Sequence, residues 1–354
     1  MSTQNTEQSR HIKDSPAGAA YGALSLFSGA SEAQRVVCAT WSAHTYIYRQ
    51  FAATPRLDFA ADMPGTGKTV NMQVTCALSA NHLVLGYESQ ASLYSWLDQH
   101  PDTTFGLDEI DKALGEDGRK TSRAILAAVV NDGYQANGHV LVNRSSKAVL
   151  IPVFVPVALA GLGRLPFDTE TRSAVIHLAK VTPAEVYLPP IHDPELALVG
   201  AGLKEWLTSR TATDYLTSQP RIASPAVGAD PRYRLIMAPL EAIASLGGYR
   251  EQFTDAVREI QSGIAEHPPT PLYGLLLADL REAWPADGPA MADSAQIITW
   301  LRSHEMERWR DLQVGRIGDV TLANLLRQAG VPSRTSNGRR GYRRSDVFPG
   351  GDSK

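Results

Sequence analysis

Polar residues dominate positions 1 to 18, where Ser, Thr, Gln and Asn leave almost nothing to bury. Residues 1–30 are therefore expected to be a disordered tail and lead-in. From Ser31 to Gln50, Val36, Val37, Trp41, Tyr46 and Ile47 recur near helical spacing and predict a helix. After Thr54-Pro55 the pattern changes to short apolar runs alternating with helical periodicity. Leu57–Ala61, Leu83–Gly86, Thr103–Leu107, Val153–Ala160 and Ala174–Ala179 predict strands, with helices over Thr69–Ala80, Ser89–Asp98 and Ser122–Asn131. Strands separated by helices in this way imply an α/β fold, a parallel five-stranded sheet with helices on both faces.

A proline-rich passage (Pro183, Pro189, Pro190, Pro194) ends that pattern, and the periodicity beyond it is helical. Leu196–Ser209, Arg234–Leu246 and Tyr249–Ile264 form one group. Leu272–Trp284, Ser294–His304 and Val320–Gln328 form another, beyond the break His267-Pro268-Pro269-Thr270-Pro271. The chain thus divides into units at 31–185, 186–266 and 270–348.

The most informative residues are Asp62-Met63-Pro64-Gly65-Thr66-Gly67-Lys68-Thr69, between a predicted strand and a predicted helix. That is the setting of a phosphate-binding P-loop. Gly65 and Gly67 let backbone N–H groups turn inward, and Pro64, Gly65, Thr66, Gly67, Lys68 and Thr69 are the expected ATP contacts. Lys68 would meet the β and γ phosphates, Thr69 would offer its hydroxyl to Mg²⁺, and the helix N-terminus would add its dipole. The usual pattern opens on Gly, and here that place holds Asp62.

Downstream, the strand Thr103–Leu107 ends in Asp108-Glu109-Ile110-Asp111. In a P-loop sheet the strand beside the first brings a carboxylate to Mg²⁺, and a following Glu can polarise the attacking water. Asp108 is therefore assigned to the metal through its waters and Glu109 to the general base. Asp111 reads as a salt-bridge or capping residue.

These two boxes resemble the AAA+ ATPases. More narrowly, with Thr54-Pro55-Arg56-Leu57, Val157–Gly163, Thr171-Arg172-Ser173 and the ending Gly341–Phe348, the chain from about residue 50 to 345 resembles an ATPase family of actinobacterial phages and mobile elements, often fused to primase–polymerase modules. The resemblance implies a P-loop ATPase domain (31–185), a helical lid (186–266) and a homo-oligomeric ring, expected to be a hexamer. It also implies an arginine finger before the fifth strand, where Arg172 stands. The alternative for Arg172 is a structural pairing with Asp168 or Glu170, with Arg164 in reserve. AAA+ proteins end the fourth strand on a polar sensor. Val157–Gly163 offers none, which leaves Asn131 or Asn143 as substitutes.

The carboxyl end changes the picture of charge. Net charge is -3, so no global field draws the molecule to nucleic acid, yet between Thr321 and Ser345 there are six arginines and no acid. The helix Val320–Gln328, then Gly330-Val331-Pro332, then Gly338–Tyr342, reads as a recognition helix and wing, a winged-helix-like domain at 270–348. Arg327, Arg334, Arg339, Arg340, Arg343 and Arg344 would contact DNA, with Tyr342 stacking or packing beneath. A basic tail or a protein-docking module is the alternative. Lone histidines such as His177 show no ligand spacing. Two cysteines, Cys38 and Cys76, exclude a disulfide scaffold and fit a reducing cytoplasm, and no apolar run is long enough to span a membrane.

The expected protein is a cytoplasmic, ATP-hydrolysing ring motor on single- or double-stranded DNA, of the helicase or initiator type, with a primase or polymerase as partner. The rivals are a nucleotide-gated loader or origin-binding factor with slow hydrolysis, and a regulatory or defence ATPase that binds protein.

Overall fold

A computed structural model of the chain describes residues 11–27, 29–62, 65–86, 93–110, 127–144, 147–162, 165, 167–179, 193–218, 230–266, 272–303, 309, 319–336 and 339–349. In its first part the strands are β1 (Arg56–Ala61), β2 (His82–Leu85), β3 (Thr104–Leu107), β4 (His139–Arg144), β5 (Lys147–Pro152), β6 (Val157–Leu162) and β7 (Ser173–His177). Five of them form a parallel sheet in the order β2-β3-β6-β1-β7. The five strands are those the apolar runs predict, to within a few residues. Because all run the same way, their C-terminal ends share one edge, where ligands collect in open α/β sheets.

Each central strand is buried on both faces because both are covered. Leu57, Phe59 and Ala61 of β1 join Ala158 and Ala160 of β6 and Ile176 of β7 in one buried cluster with helices Glu32–His44 and Lys68–Ala77. On the opposite face Phe105, Leu107, Val157 and Leu159 pack with Leu93 and Leu97 of helix Leu93–Gln99 and with Val129, Val130 and Ile151. At the start of β1 the fully buried Arg56 donates to the carbonyls of Val130, Val155 and Val129 at 2.8, 2.7 and 2.9 Å. It fastens the end of a helical segment and the lead-in to β6 onto the sheet. Burial, with Arg172 nearby, pushes its guanidinium down to about 9.

Three features depart from the expectations. Residues 12–27 are not a tail: helix Gly18–Phe27 puts Tyr21 and Leu24 into the main core, with Ile12 fully buried beside them. Its small residues hid the periodicity, since Ala and Gly contribute little to an apolar pattern. The acidic strand β3 is not the neighbour of β1, because β6 runs between them. A separate antiparallel hairpin, β4–β5, also lies between β3 and β6 in sequence, with Leu141 and Leu150 paired and exposed on it.

The helices Pro194–Leu207, Pro231–Leu246 and Arg250–Glu266 bury Leu196, Leu203, Ile236, Leu240, Phe253 and Val257 in the same cluster that covers the sheet. Residues 272–348 have their own core, built from helices Leu272–Ala283, Ser294–Ser303 and Asp319–Gln328. A three-stranded antiparallel sheet completes it: β8 (Met291–Ala292), β10 (Arg339–Arg343) and β9 (Arg334–Ser336), in that order. Among the described residues no helix is long and apolar enough to cross a membrane.

Two buried ionisable groups give stability a defined pH dependence. His44 lies among Trp41, Tyr48 and Phe51, and burial pushes its ring from 6.5 down to about 3, the Trp41 carbonyl opposing only part of this. The unfolded chain takes up a proton below pH 6.5 and the folded chain does not, so stability falls from there toward pH 3. Asp58 in β1 behaves oppositely. Burial, reinforced by Glu170, raises its carboxyl from 3.8 to about 8, so stability is lost as pH rises across that window. Denaturant titrations at several pH values should show His44→Leu removing an acid-side slope worth about 5 kcal/mol at full extent. Asp58→Asn should remove a slope of the opposite sign.

Candidate nucleotide-binding site

β1 ends at Ala61, and the chain turns through Gly65 and Gly67 into helix Lys68–Ala77. Both glycines have positive φ, 73° and 82°, the left-handed backbone that favours glycine. Gly67 is the helix N-cap and brings no capping side chain, and no acid stands in the first turn, so this helix N-terminus suits an anion. Asn71 Nδ2 donates to the Gly67 carbonyl at 2.8 Å and pins the turn. Lys68 Nζ lies 3.4 Å from Thr66 Oγ1. Pro64, also expected here, lies outside the described residues.

The acidic strand end meets this turn. Thr69 Oγ1 donates to Asp108 Oδ2 at 3.0 Å, across 39 residues of sequence. Asp108 Oδ1 accepts the Glu109 N–H at 2.9 Å. A hydroxyl and a carboxylate oxygen so placed are hard oxygen donors of the kind a divalent cation takes. Glu109 has φ 56°, a left-handed conformation for a residue with a full side chain. Such backbone costs of order 1–3 kcal/mol and gathers at functional sites.

Packing explains how β3 reaches the turn with β6 in the way. The loop helix lies over Ala158 and Ala160, whose small side chains let it pass close above β6. At β3 it meets Gly106, where an added Cβ would stand 2.8 Å from Cys76 Sγ and 3.1 Å from Val84 Cγ2. Only glycine lets the helix come that near.

Arg172 is held within its own chain. Its Nη1 donates to the Asp168 carbonyl and lies 3.9 Å from the Asp168 carboxylate, and its guanidinium sits 5.1 Å from the Tyr134 ring centroid. It also stands at the start of β7, since Arg56 N–H donates to its carbonyl. That is the sheet edge opposite the glycine turn, roughly 20 Å away at ~3.3 Å per strand residue. Asn131 accepts from Thr169 Oγ1 at 2.9 Å beside Arg172, and exposed Asn143 lies on the hairpin, so neither is at the edge that carries the glycine turn. Arg164 and Asp111 lie outside the described residues. His177, for which the sequence indicated no role, closes β7 at the edge that carries the glycine turn, with Nε2 3.6 Å from Asp62 Oδ1. Only strand order could reveal that approach.

In the C-terminal unit the arginines divide. Arg334 pairs with Asp346 at 2.9 Å, an acid one residue past the basic stretch. Arg344 Nη1 donates to the carbonyls of Ala286 and Pro285 at 2.9 and 3.3 Å, beyond the end of helix Leu272–Ala283. Tyr342 is buried in the core and packs beneath rather than stacking outward. Tyr342 thus takes the second of its two expected positions, and Arg334 and Arg344 make contacts within the unit. Arg327, Arg340 and Arg343 are exposed, and the Arg339 side chain lies outside the described residues. Arg340, which donates to Ser333 Oγ, also lines a cavity of about 350 Å³ with Asp319 and Asn324 of the preceding helix.

A family model described as a protein of unknown function, DUF3631, matches residues 179–349. That span takes in the helices after β7 and the whole C-terminal unit but stops short of the glycine turn and the acidic strand. No curated protein matches the chain.

Gly106→Ala should cost about 1–3 kcal/mol, the usual range for overpacking, and push β3 off the loop helix. Glu109→Gly should instead raise the unfolding free energy, by about 1 kcal/mol, by relieving the left-handed backbone. Urea denaturation of both variants checks the pair, and equal losses in both would remove the case for strain at Glu109.

Proposed function

We propose that this chain binds and hydrolyses ATP and works as a ring-forming motor on DNA, of the replicative helicase or initiator type. The observation that carries the nucleotide part is the Thr69–Asp108 hydrogen bond, which joins a phosphate-type turn to an acidic strand end. Lys68 and the backbone N–H groups of the turn would bind the β and γ phosphates. Thr69 and, through water, Asp108 would hold Mg²⁺, which when bound neutralises phosphate charge. Glu109, its backbone fixed by Asp108, would orient and deprotonate the water that attacks the γ-phosphate.

Arg172 cannot serve its own turn from the opposite sheet edge, so a finger role would place it at the site of a neighbouring copy. That role requires Arg172 to leave Asp168 and Tyr134. The same contacts favour a second reading, a nucleotide-gated loader whose hydrolysis stays slow until subunits assemble. For the DNA part, the support is a winged-helix-like order of helices and strands in residues 272–348 with exposed Arg327, Arg340 and Arg343.

Lys68→Ala should abolish nucleotide binding. Glu109→Gln should keep it and slow hydrolysis about 10²–10⁴-fold. Steady-state phosphate release, with nucleotide binding measured alongside, decides between them. Normal turnover in Glu109→Gln would remove the base assignment.

Arg340→Ala with Arg343→Ala should weaken duplex binding and flatten the log–log salt dependence by about 1 to 2 units, at ~0.9 per lost phosphate contact. Arg334→Ala should leave the slope intact and lower the melting temperature instead. Fluorescence anisotropy over a salt series, with thermal melts, separates these outcomes.

A further inference from the structure

Asp62 occupies the position where a phosphate loop ordinarily has a glycine. A carboxylate there stands at the same sheet edge as Lys68 and would repel phosphate oxygens at short range. The structure gives this acid a counterpart. His177 ends β7 and pairs in register with Ala60, two residues before Asp62 on the neighbouring strand. Its Nε2 lies 3.6 Å from Asp62 Oδ1, with the two side chains 26% and 32% exposed, so the contact is partly shielded from water. Nε2 makes no hydrogen bond among the described residues, so no hydrogen bond there competes with the carboxylate for it. The end of β7 is itself anchored, since Gln34 Nε2 donates to the His177 carbonyl at 2.7 Å. Gln34 also completes the cap of helix Glu32–His44, taking the Ser31 N–H on its Oε1 at 2.9 Å. A capped helix thus fixes the strand end, and the strand end aims the imidazole at the loop.

We propose that His177 is a positioning residue for nucleotide binding, holding the Asp62 carboxylate toward β7 and away from the phosphates. The proposal rests on the nucleotide reading above and adds the residue that makes an acid tolerable at the first loop position. Two consequences distinguish it from a merely structural contact. His177 should matter only while position 62 carries charge. Its loss should also raise KM for ATP more than it lowers kcat, because the histidine touches no reacting atom.

The test is a double-mutant cycle on the full chain, with Mg²⁺ and a non-hydrolysable ATP analogue as the probe, read by calorimetric titration. His177→Ala should weaken binding about tenfold, a coupling within the range found for contacting residues. Asp62→Asn should bind at least as tightly as the parent, and the double variant should match Asp62→Asn within about twofold. His177→Gln keeps a side-chain N–H donor and should recover part of the loss, which also serves if His177→Ala folds poorly. Unchanged binding in both histidine variants, or a loss of equal size in the Asp62→Asn background, overturns the proposal. Lys68→Ala separates that failure from failure of the underlying reading. If the parent binds and Lys68→Ala does not, an absent coupling removes His177 alone. If the parent binds no better than Lys68→Ala, the nucleotide reading falls and this proposal with it.

Discussion

The hydrogen bond from Thr69 to Asp108 depends on how closely a helix can lie on a sheet, and much of the first domain is arranged around that distance. The two residues follow β1 and β3, which are not neighbours, so the helix after β1 must cross β6 to bring its first turn over the acidic end. It does so above Ala158 and Ala160, then against Gly106. Interiors packed at crystal-like density leave no slack for a larger side chain at that crossing. The small residues of β6 and the glycine of β3 are therefore what lets the glycine turn meet the acidic strand end.

Parallel strands also sort chemistry by edge. Residues at strand ends (Asp62, Asp108, Glu109, His177) gather on one side. Residues at strand starts (Arg56, Arg172) gather on the other, where Arg56 directs its donors to backbone carbonyls instead of an acid. A buried guanidinium with its hydrogen bonds satisfied escapes the large penalty of an unpaired buried charge. It therefore serves as a fixed tie between β1, the lead-in to β6 and the segment ahead of the hairpin. Arg172, beside it, is held by Asp168 and Tyr134, and any partner beyond its own chain would have to offer more than those contacts.

In the C-terminal unit, the charges counted along the sequence do not all face water. Consecutive residues of a strand point to opposite sides, so Tyr342 turns into the core while Arg343 faces water. Arg334 and Arg344 are committed within the unit, one to a carboxylate and one to carbonyls past a helix end. Arg327, Arg340 and Arg343 are exposed on a folded support, in a protein whose net charge is slightly negative.

Most of the strands and helices were legible in the residues alone, because periodicity is a local property of apolar side chains. Gly65, Gly67, Lys68 and Thr69 were legible too, since the left-handed turn demands glycine whatever surrounds it. The order of strands in the sheet was not. That order depends on which apolar faces cover each other best over long separations, and it inserted β6 between the two boxes and brought β7 beside β1. Helix Gly18–Phe27 was hidden for a related reason, as it enters the core through Ala20, Tyr21 and Leu24 while its other small residues add little to an apolar pattern. Tertiary packing, which settles direction as well as proximity, turned Tyr342 inward and tied Arg334 and Arg344 into the fold. It also set His177 against Asp62, residues far apart along the chain that meet because their strands lie side by side.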